Sequence, residues 1–323
     1  MAAAPTRIGP DVHTKRHLVA GALVLATAIA LAGCSTATGE SSASANGKIV
    51  ALGAENEYAN VIAQLGGQYV DASAVMSNPN TDPHTFEASP SVAKEVSASR
   101  LIVQNGVGYD DFMSKLESAS PDSSRKVIVA QKVLGLPDST PNPHLWYKPT
   151  TMPAVGSAIV AALAEIQPSH KSYFEKRLRT FDASLDAWTN ELAAFRKAHA
   201  GVAVAVTEPV ADYALQAAGV HIETPWTLQA AIMNDTDPSP QDSALQDSLF
   251  TGHKVKVFLY NQQVTDDVTQ HFLSLARANA IPVVGVYETM PTPGYDYQTW
   301  MEAELRALDK AVTSGTSTQK LTP

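Results

Sequence analysis

The chain has 323 residues, 45% of them hydrophobic and 17% charged, with 23 Lys and Arg against 32 Asp and Glu for a net charge of −9. That balance disfavours a nucleic-acid surface and mildly favours cations as ligands. The one cysteine, Cys34, excludes an intrachain disulfide, so stability has to come from the size of the core.

Residues 1–33 read as an export signal. Arg7, Lys15 and Arg16 give a positive start, and Leu18 to Ala32 form an apolar run of 15 residues. A bilayer span needs roughly 20, so the run fits a signal core better than a membrane helix. It ends in Leu31-Ala32-Gly33-Cys34, which looks like a bacterial lipoprotein signal: cleavage before Cys34, then lipidation of its sulfur and new amino group. Several acyl chains would hold the mature protein on the outer face of the cell membrane. Cleavage after residue 33 removes Arg7, Lys15, Arg16 and Asp11, leaving 290 residues with 20 basic side chains against 31 acidic ones. Residues 34–47, rich in Ser, Ala, Thr and Gly, read as a flexible tether.

Strand and helix patterns then alternate. Ile49 to Leu52 begins a strand, a helix follows through Tyr58 and Ile62 to Leu65, and Gly66-Gly67 marks its C-cap. Val70 to Met76 fits a second strand, and Ser89-Pro90 opens a helix by the N-cap and N1 preferences. Leu101 to Val103 and Val127 to Val129 are short buried strands. After Pro168-Ser169, Phe174, Leu178, Phe181, Leu185, Trp188, Leu192 and Phe195 recur at spacings of 4 and 3, with no Pro or Gly before Gly201. Such a helix of about 30 residues would be roughly 45 Å long, longer than one lobe, and its aromatic stripe reads as core. The rhythm resumes with strands at Val202 to Val206, Val255 to Tyr260 and Pro282 to Val286, and helices at Pro209 to Ala218, about 264–279 and 295–313. The pattern predicts an α/β protein of two lobes, each a parallel sheet flanked by helices: 48–167, a linking spine helix over 168–199, and 200–323.

Two tripeptides rhyme. Asp82-Pro83-His84 and Asn142-Pro143-His144 place two histidines behind prolines, 60 residues apart. Proline fixes its own φ and extends its predecessor, so each imidazole leaves a stiff loop in a defined direction, as a metal site gathered from distant loops requires. Ligands of open parallel sheets gather beyond the carboxyl ends of strands. Glu208, before Pro209, and Glu288, before Pro291, occupy such ends in the second lobe. Glu208 can alternatively cap a helix N-terminus, and Glu288 can be a solvated loop acid. Together His84, His144, Glu208 and Glu288 make a credible set for Zn²⁺, Mn²⁺ or Fe²⁺. Asp82 and Glu87 flank His84 and are placed to orient it. His221 reads as structural, and His170, His199, His253 and His271 as surface residues. Asp235-Thr236-Asp237 lacks the glycine and distal glutamate of an EF-hand loop and reads as a turn into a helix capped by Ser239-Pro240.

These residues resemble the metal-specific solute-binding proteins of bacterial ABC importers, the zinc and manganese receptor group. Asp82-Pro83-His84-Thr85-Phe86-Glu87-Ala88-Ser89-Pro90 is similar to that family's first ligand motif and Asn142-Pro143-His144-Leu145-Trp146 to its second; Leu101 to Gly106 matches the strand and turn between them. The resemblance covers about 47–315. It implies a third ligand at Glu208 and a fourth at Glu288, where the family usually has Asp. Asn142 and Lys148 stand where the family usually carries Asp, and no His- and Asp-rich loop lies between 104 and 144. The implied function is a monomeric receptor, not an enzyme, which binds metal between its lobes and passes it to a membrane permease, with small lobe movements and no nucleic-acid partner. Zinc is favoured and manganese next, and affinity is expected to fall below roughly pH 6.5, where imidazoles protonate. The alternatives are a metallohydrolase in the same cleft, for which no HExxH or Gly-x-Ser-x-Gly motif is present, and a surface adhesin.

Overall fold

In the computed structural model the described residues are 47–80 and 86–322, all within one compact unit, Ser41–Pro323. The export signal, Cys34, the tether up to residue 46 and the first histidine motif from Asp82 through His84 to Thr85 lie outside them. Among the described residues no helix is long and apolar enough to cross a membrane.

The first half runs β1 (Ile49–Glu55), α1 (Asn56–Gly66), β2 (Val70–Met76), α2 (Pro90–Ala98), β3 (Leu101–Gln104), α3 (Asp111–Ala119), β4 (Lys126–Val129), α4 (Ala130–Val133) and α5 (Thr151–Ile166). Its strands form a parallel sheet of order β2-β1-β3-β4. The expected C-cap at the end of α1 is present: Gly67 turns at φ 52°, its N–H bonds Ala63 O, and a Cβ there would lie 2.2 Å from the Tyr173 hydroxyl. Gly53 is required for another reason. The chain folds from β1 into α1 so tightly that a Cβ at Gly53 would lie 2.4 Å from Ala59 N.

The second half contains β5 (Ala203–Val206), α8 (Asp212–Ala217), β6 (His221–Ile222), α9 (Trp226–Met233), α10 (Pro240–Thr251), β7 (Val257–Asn261), α11 (Asp267–Ala278), β8 (Val283–Val286) and α12 (Tyr297–Ser314), after the connecting helices α6 (Lys171–Ser184) and α7 (Asp186–His199). Its parallel sheet repeats the first order as β6-β5-β7-β8. Each sheet therefore has a switch point, at β1/β3 and at β5/β7, where successive connections leave in opposite directions and the carboxyl ends open a crevice. Ser239 caps α10 as expected, its hydroxyl accepting from Asp242 N at 3.1 Å.

The connection differs from the single helix expected over 168–199. A short 3-10 turn, Pro168–His170, leads into α6, and the ladder is broken at Leu185 before α7. The Ser184 hydroxyl donates to Phe181 O at 2.6 Å and accepts from Gln298 Nε2 at 2.8 Å, while Leu185 N–H bonds Asp182 O in i→i−3 fashion. A hydroxyl inserted among the carbonyls loosens the i→i−4 ladder at that point. The stripe is core nonetheless: Phe174, Phe181, Leu185, Trp188, Leu192 and Phe195 are buried in one cluster with residues of both sheets, such as Leu101 and Leu259.

Candidate metal centre

His144 leaves a stiff segment. Pro143 O accepts from Leu145 N at 2.6 Å and from the Asn105 side chain at 2.8 Å, and a 3-10 turn, Leu145–Tyr147, follows at once. The imidazole is fully buried against the edges of Tyr109 and Trp146. Its Nδ1 lies 2.8 Å from Asn142 Oδ1, an acceptor that also receives the His144 N–H at 3.0 Å. Nδ1 therefore faces an acceptor, and Nε2 is turned toward Glu288. Asn142, standing where a carboxylate was expected, orients the ring with its amide oxygen. Its Nδ2 donates to Pro209 O at 2.8 Å, a bond to the second half that a carboxylate could not make. Lys148, the other departure, places its ammonium 5.5 Å from the ring centre of Tyr213, whose hydroxyl bonds Asn142 O at 2.9 Å.

The second half supplies two carboxylates. Glu208 follows β5 and is buried. It is not a helix cap, because α8 begins only at Asp212 with Ala211 at the N-cap. Glu288 follows β8 and is wholly buried, not solvated; its N–H and that of Thr289 donate to Gln263 Oε1 at 2.6 and 2.8 Å. The two acids share one donor: Asn261 Nδ2, at the carboxyl end of β7, bonds Glu208 Oε1 at 2.7 Å and Glu288 Oε1 at 2.6 Å. The second oxygen of Glu288 takes the Tyr109 hydroxyl at 3.0 Å and lies 3.4 Å from His144 Nε2. One ligand atom from each of His144, Glu208 and Glu288 lies within 4.8 Å of the others, close enough that the three could hold one ion.

The surroundings are acidic. Glu55 ends β1, Glu57 lies in the first turn of α1 and Asp110 precedes α3; all three are buried. Burial holds the Glu55 carboxyl well above its usual range, and the charges of Asp110 and Glu57 push it further. Burial does the same to Glu57, aided by Glu288 and then Asp110. Asp110 is raised to about 6 by burial, against the stabilising N–H groups of Gly106 and Asn105, which it accepts at 2.9 and 2.6 Å. The Tyr109 hydroxyl is pushed up by burial and by the charge of Glu288.

Of the sequence candidates, His144, Glu208 and Glu288 come together; His84 and Asp82 lie outside the described residues, and Glu87 is exposed. His221, His199 and His271 stand beside the surface acids Glu223, Asp309 and Asp247, and His170 stacks on Tyr69. The sequence reading does not single out Asn261, Tyr109 or Glu57. For Asn261 a signal exists: it ends the apolar run Val257 to Tyr260 with a polar side chain, the pattern that singles out Glu208.

Comparison with known proteins agrees with this architecture. A family model described as zinc-uptake complex component A, periplasmic, matches residues 54–311. The manganese ABC transporter substrate-binding lipoprotein PsaA of Streptococcus anginosus is 22% identical over 175 residues, 50% of this chain and 56% of that protein. The metal-binding protein YtgA of Chlamydia trachomatis is 23% identical over 188 residues, 54% of this chain and 56% of that protein. The chain thus spans little more than half the length of these curated relatives. A periplasmic metal-binding protein from Candidatus Liberibacter asiaticus superposes with a TM-score of 0.67 at 17% identity, covering 82% of this chain and 100% of that one.

Proposed function

Because the chain belongs to the family of the periplasmic component A of zinc-uptake complexes, we propose that it is an extracytoplasmic receptor. It binds a divalent transition-metal ion in the crevice between its two sheets and hands it to an ABC permease. His144, Glu208 and Glu288 are the ligands in this reading, His84 the fourth, and Cys34 the attachment point of a lipid anchor. The observation that carries it is the convergence of an imidazole nitrogen with two buried carboxylates, each fixed from behind: His144 by Asn142, and Glu208 and Glu288 by Asn261. A buried acidic crevice of this kind is costly without a cation to occupy it.

The sequence favours zinc by a narrow margin. Zn²⁺ also outranks Mn²⁺ in intrinsic affinity at nearly any nitrogen and oxygen set. The streptococcal relative is named for manganese, and the structural neighbour from Candidatus Liberibacter asiaticus has Mn-bound and Cd-bound forms. Calorimetric titration of chelator-stripped protein with Zn²⁺ and Mn²⁺ tests the reading. Tight 1:1 binding that His144→Ala abolishes is the expected result. Binding unaffected by that substitution sinks the site, and no binding of either ion sinks the function.

A further inference from the structure

Glu304 shares the buried face of α12 with Trp300, Met301 and Leu308, a place where an acid is expensive unless its oxygens are engaged. They are. Oε1 accepts from Trp300 Nε1 at 2.7 Å, and Oε1 and Oε2 lie 2.9 and 2.7 Å from the Tyr147 hydroxyl oxygen. The same hydroxyl oxygen lies 2.8 Å from Tyr287 O, and the Tyr287 N–H approaches it at 3.4 Å. Tyr147 thus has one proton for two acceptors, the Tyr287 carbonyl and the Glu304 carboxyl. A carboxylate would leave one of those short contacts without a proton. A carboxylic acid satisfies both: Glu304 Oε2–H donates to the Tyr147 oxygen, and Tyr147 O–H donates to Tyr287 O. The surroundings agree. Among the described residues no basic side chain holds a charge on Glu304, and burial raises its carboxyl to about 8, against the lowering influence of Tyr147, Trp300 and the Tyr287 backbone. The small apolar cavity beside it has no titratable group in its lining other than Glu304 itself and Tyr147.

The partners of Glu304 lie on two loops of the metal site. Tyr147 ends the 3-10 turn that opens directly after His144, its N–H bonding His144 O at 3.2 Å, and Tyr287 is the residue before Glu288. We propose that Glu304 is a positioning residue for the metal site: a neutral acid that donates to Tyr147, commits the Tyr147 proton to Tyr287 O and so fixes the His144 loop against the Glu288 loop. It acts through Tyr147. The role rests on the receptor reading above and deepens it. Ionised, Glu304 would compete for the Tyr147 proton and loosen the tie to Tyr287.

Infrared spectroscopy of the metal-free protein reads the proton directly. The difference between wild type and Glu304→Gln near neutral pH should contain a carboxylic-acid C=O stretch, which a carboxylate lacks; its absence overturns the proposal. Zn²⁺ affinity is then measured by chelator competition for Glu304→Gln, Glu304→Met, Tyr147→Phe and the Tyr147→Phe/Glu304→Met double variant, beside metal-free unfolding midpoints and a His144→Ala control. E304Q, whose amide still donates to Tyr147, should bind within about twofold of wild type. E304M and Y147F should each lose roughly 3–10-fold, the equivalent of one net hydrogen bond, and the double variant should be no weaker than Y147F because both act through one hydroxyl. A side chain serving stability alone would move the midpoint and leave affinity unchanged. Full affinity in E304M, E304Q as weak as E304M, or additive losses in the double variant overturn the role. If H144A abolishes binding while E304M binds as wild type does, only Glu304 fails; if wild type binds neither Zn²⁺ nor Mn²⁺, or H144A binds as wild type does, the receptor reading fails and this role falls with it.

Discussion

Replacing Asn261 with alanine is the sharpest probe of how the site is held. Its amide is the common donor to Glu208 at 2.7 Å and Glu288 at 2.6 Å, and its Oδ1 accepts from Gln263 N at 3.0 Å, which keeps the amide in that orientation. A hydrogen bond to a charged group is worth about 1.5–3 kcal/mol net, so the metal-free protein should lose up to roughly 3–6 kcal/mol and its midpoint should fall. Binding suffers for a different reason. Asn261 grips one oxygen of each acid and so fixes the direction of the other; without it the ion must itself immobilise two glutamate side chains, at about 0.5–1.5 kcal/mol each. The sum, roughly 1–3 kcal/mol, corresponds to about 5–150-fold in affinity, in line with the 10–100-fold typical of residues that orient metal ligands. Metal titration of N261A beside thermal melts of the stripped protein measures both effects. A cooperatively folded N261A that binds within about twofold of wild type would refute the view that this amide sets the carboxylate geometry.

Asn142→Ala removes the acceptor beside His144 Nδ1 and should weaken binding about 10–100-fold; chelator competition that finds no change would mean the ring is held by Tyr109 and Trp146 alone. Asp212 is buried, and desolvation alone raises its carboxyl to about 7, so the folded state keeps a proton that the unfolded chain has already released. Stability therefore falls as pH rises from about 4 through 7 and is flat above, by up to roughly 4 kcal/mol at 1.36 kcal/mol per unit. Asp212→Asn should shrink the drop in midpoint between pH 5 and pH 8, and melts showing an undiminished drop would contradict it.

Much of this was legible because parallel sheets are read by burial. Leu101–Gln104 and Val257–Asn261 are buried throughout, and short apolar runs bounded by polar ends announce such strands. The same logic, carried one or two residues past the end of a strand, leads to Glu208 and Glu288. The features that escaped depend on contacts across the molecule. Helix α5 is apolar nearly all round, since it packs against α1, α6 and β4 together, and so shows no one-sided stripe. At the break before Leu185, the Ser184 hydroxyl accepts from Gln298 of a distant helix. Glu57 reads locally as an ordinary first-turn acid, suited to a helix N-terminus; only the fold reveals that it is buried. Asn142 is the instructive case. Read alone it is a weakened aspartate, yet its amide nitrogen finds Pro209 O, 67 residues away.

That bond is one of a set that decides how the crevice works. The Tyr109 hydroxyl reaches Glu288, the Tyr147 hydroxyl reaches Tyr287 O at 2.8 Å, Tyr213 reaches back to Asn142 O, and Asn56 clamps Met290. His144, Glu208 and Glu288, the proposed ligands, thus each sit in a segment bonded by itself or a near neighbour to the opposite half of the chain. At about 0.5–1.5 kcal/mol apiece, such bonds together rival a large share of the stability of a typical domain. The loops carrying His144, Glu208 and Glu288 are therefore tied together by the protein's own hydrogen bonds. On the proposed receptor reading an arriving ion would meet donors held by these bonds, so discrimination among metals would fall to the size and softness of the ion against a fixed set.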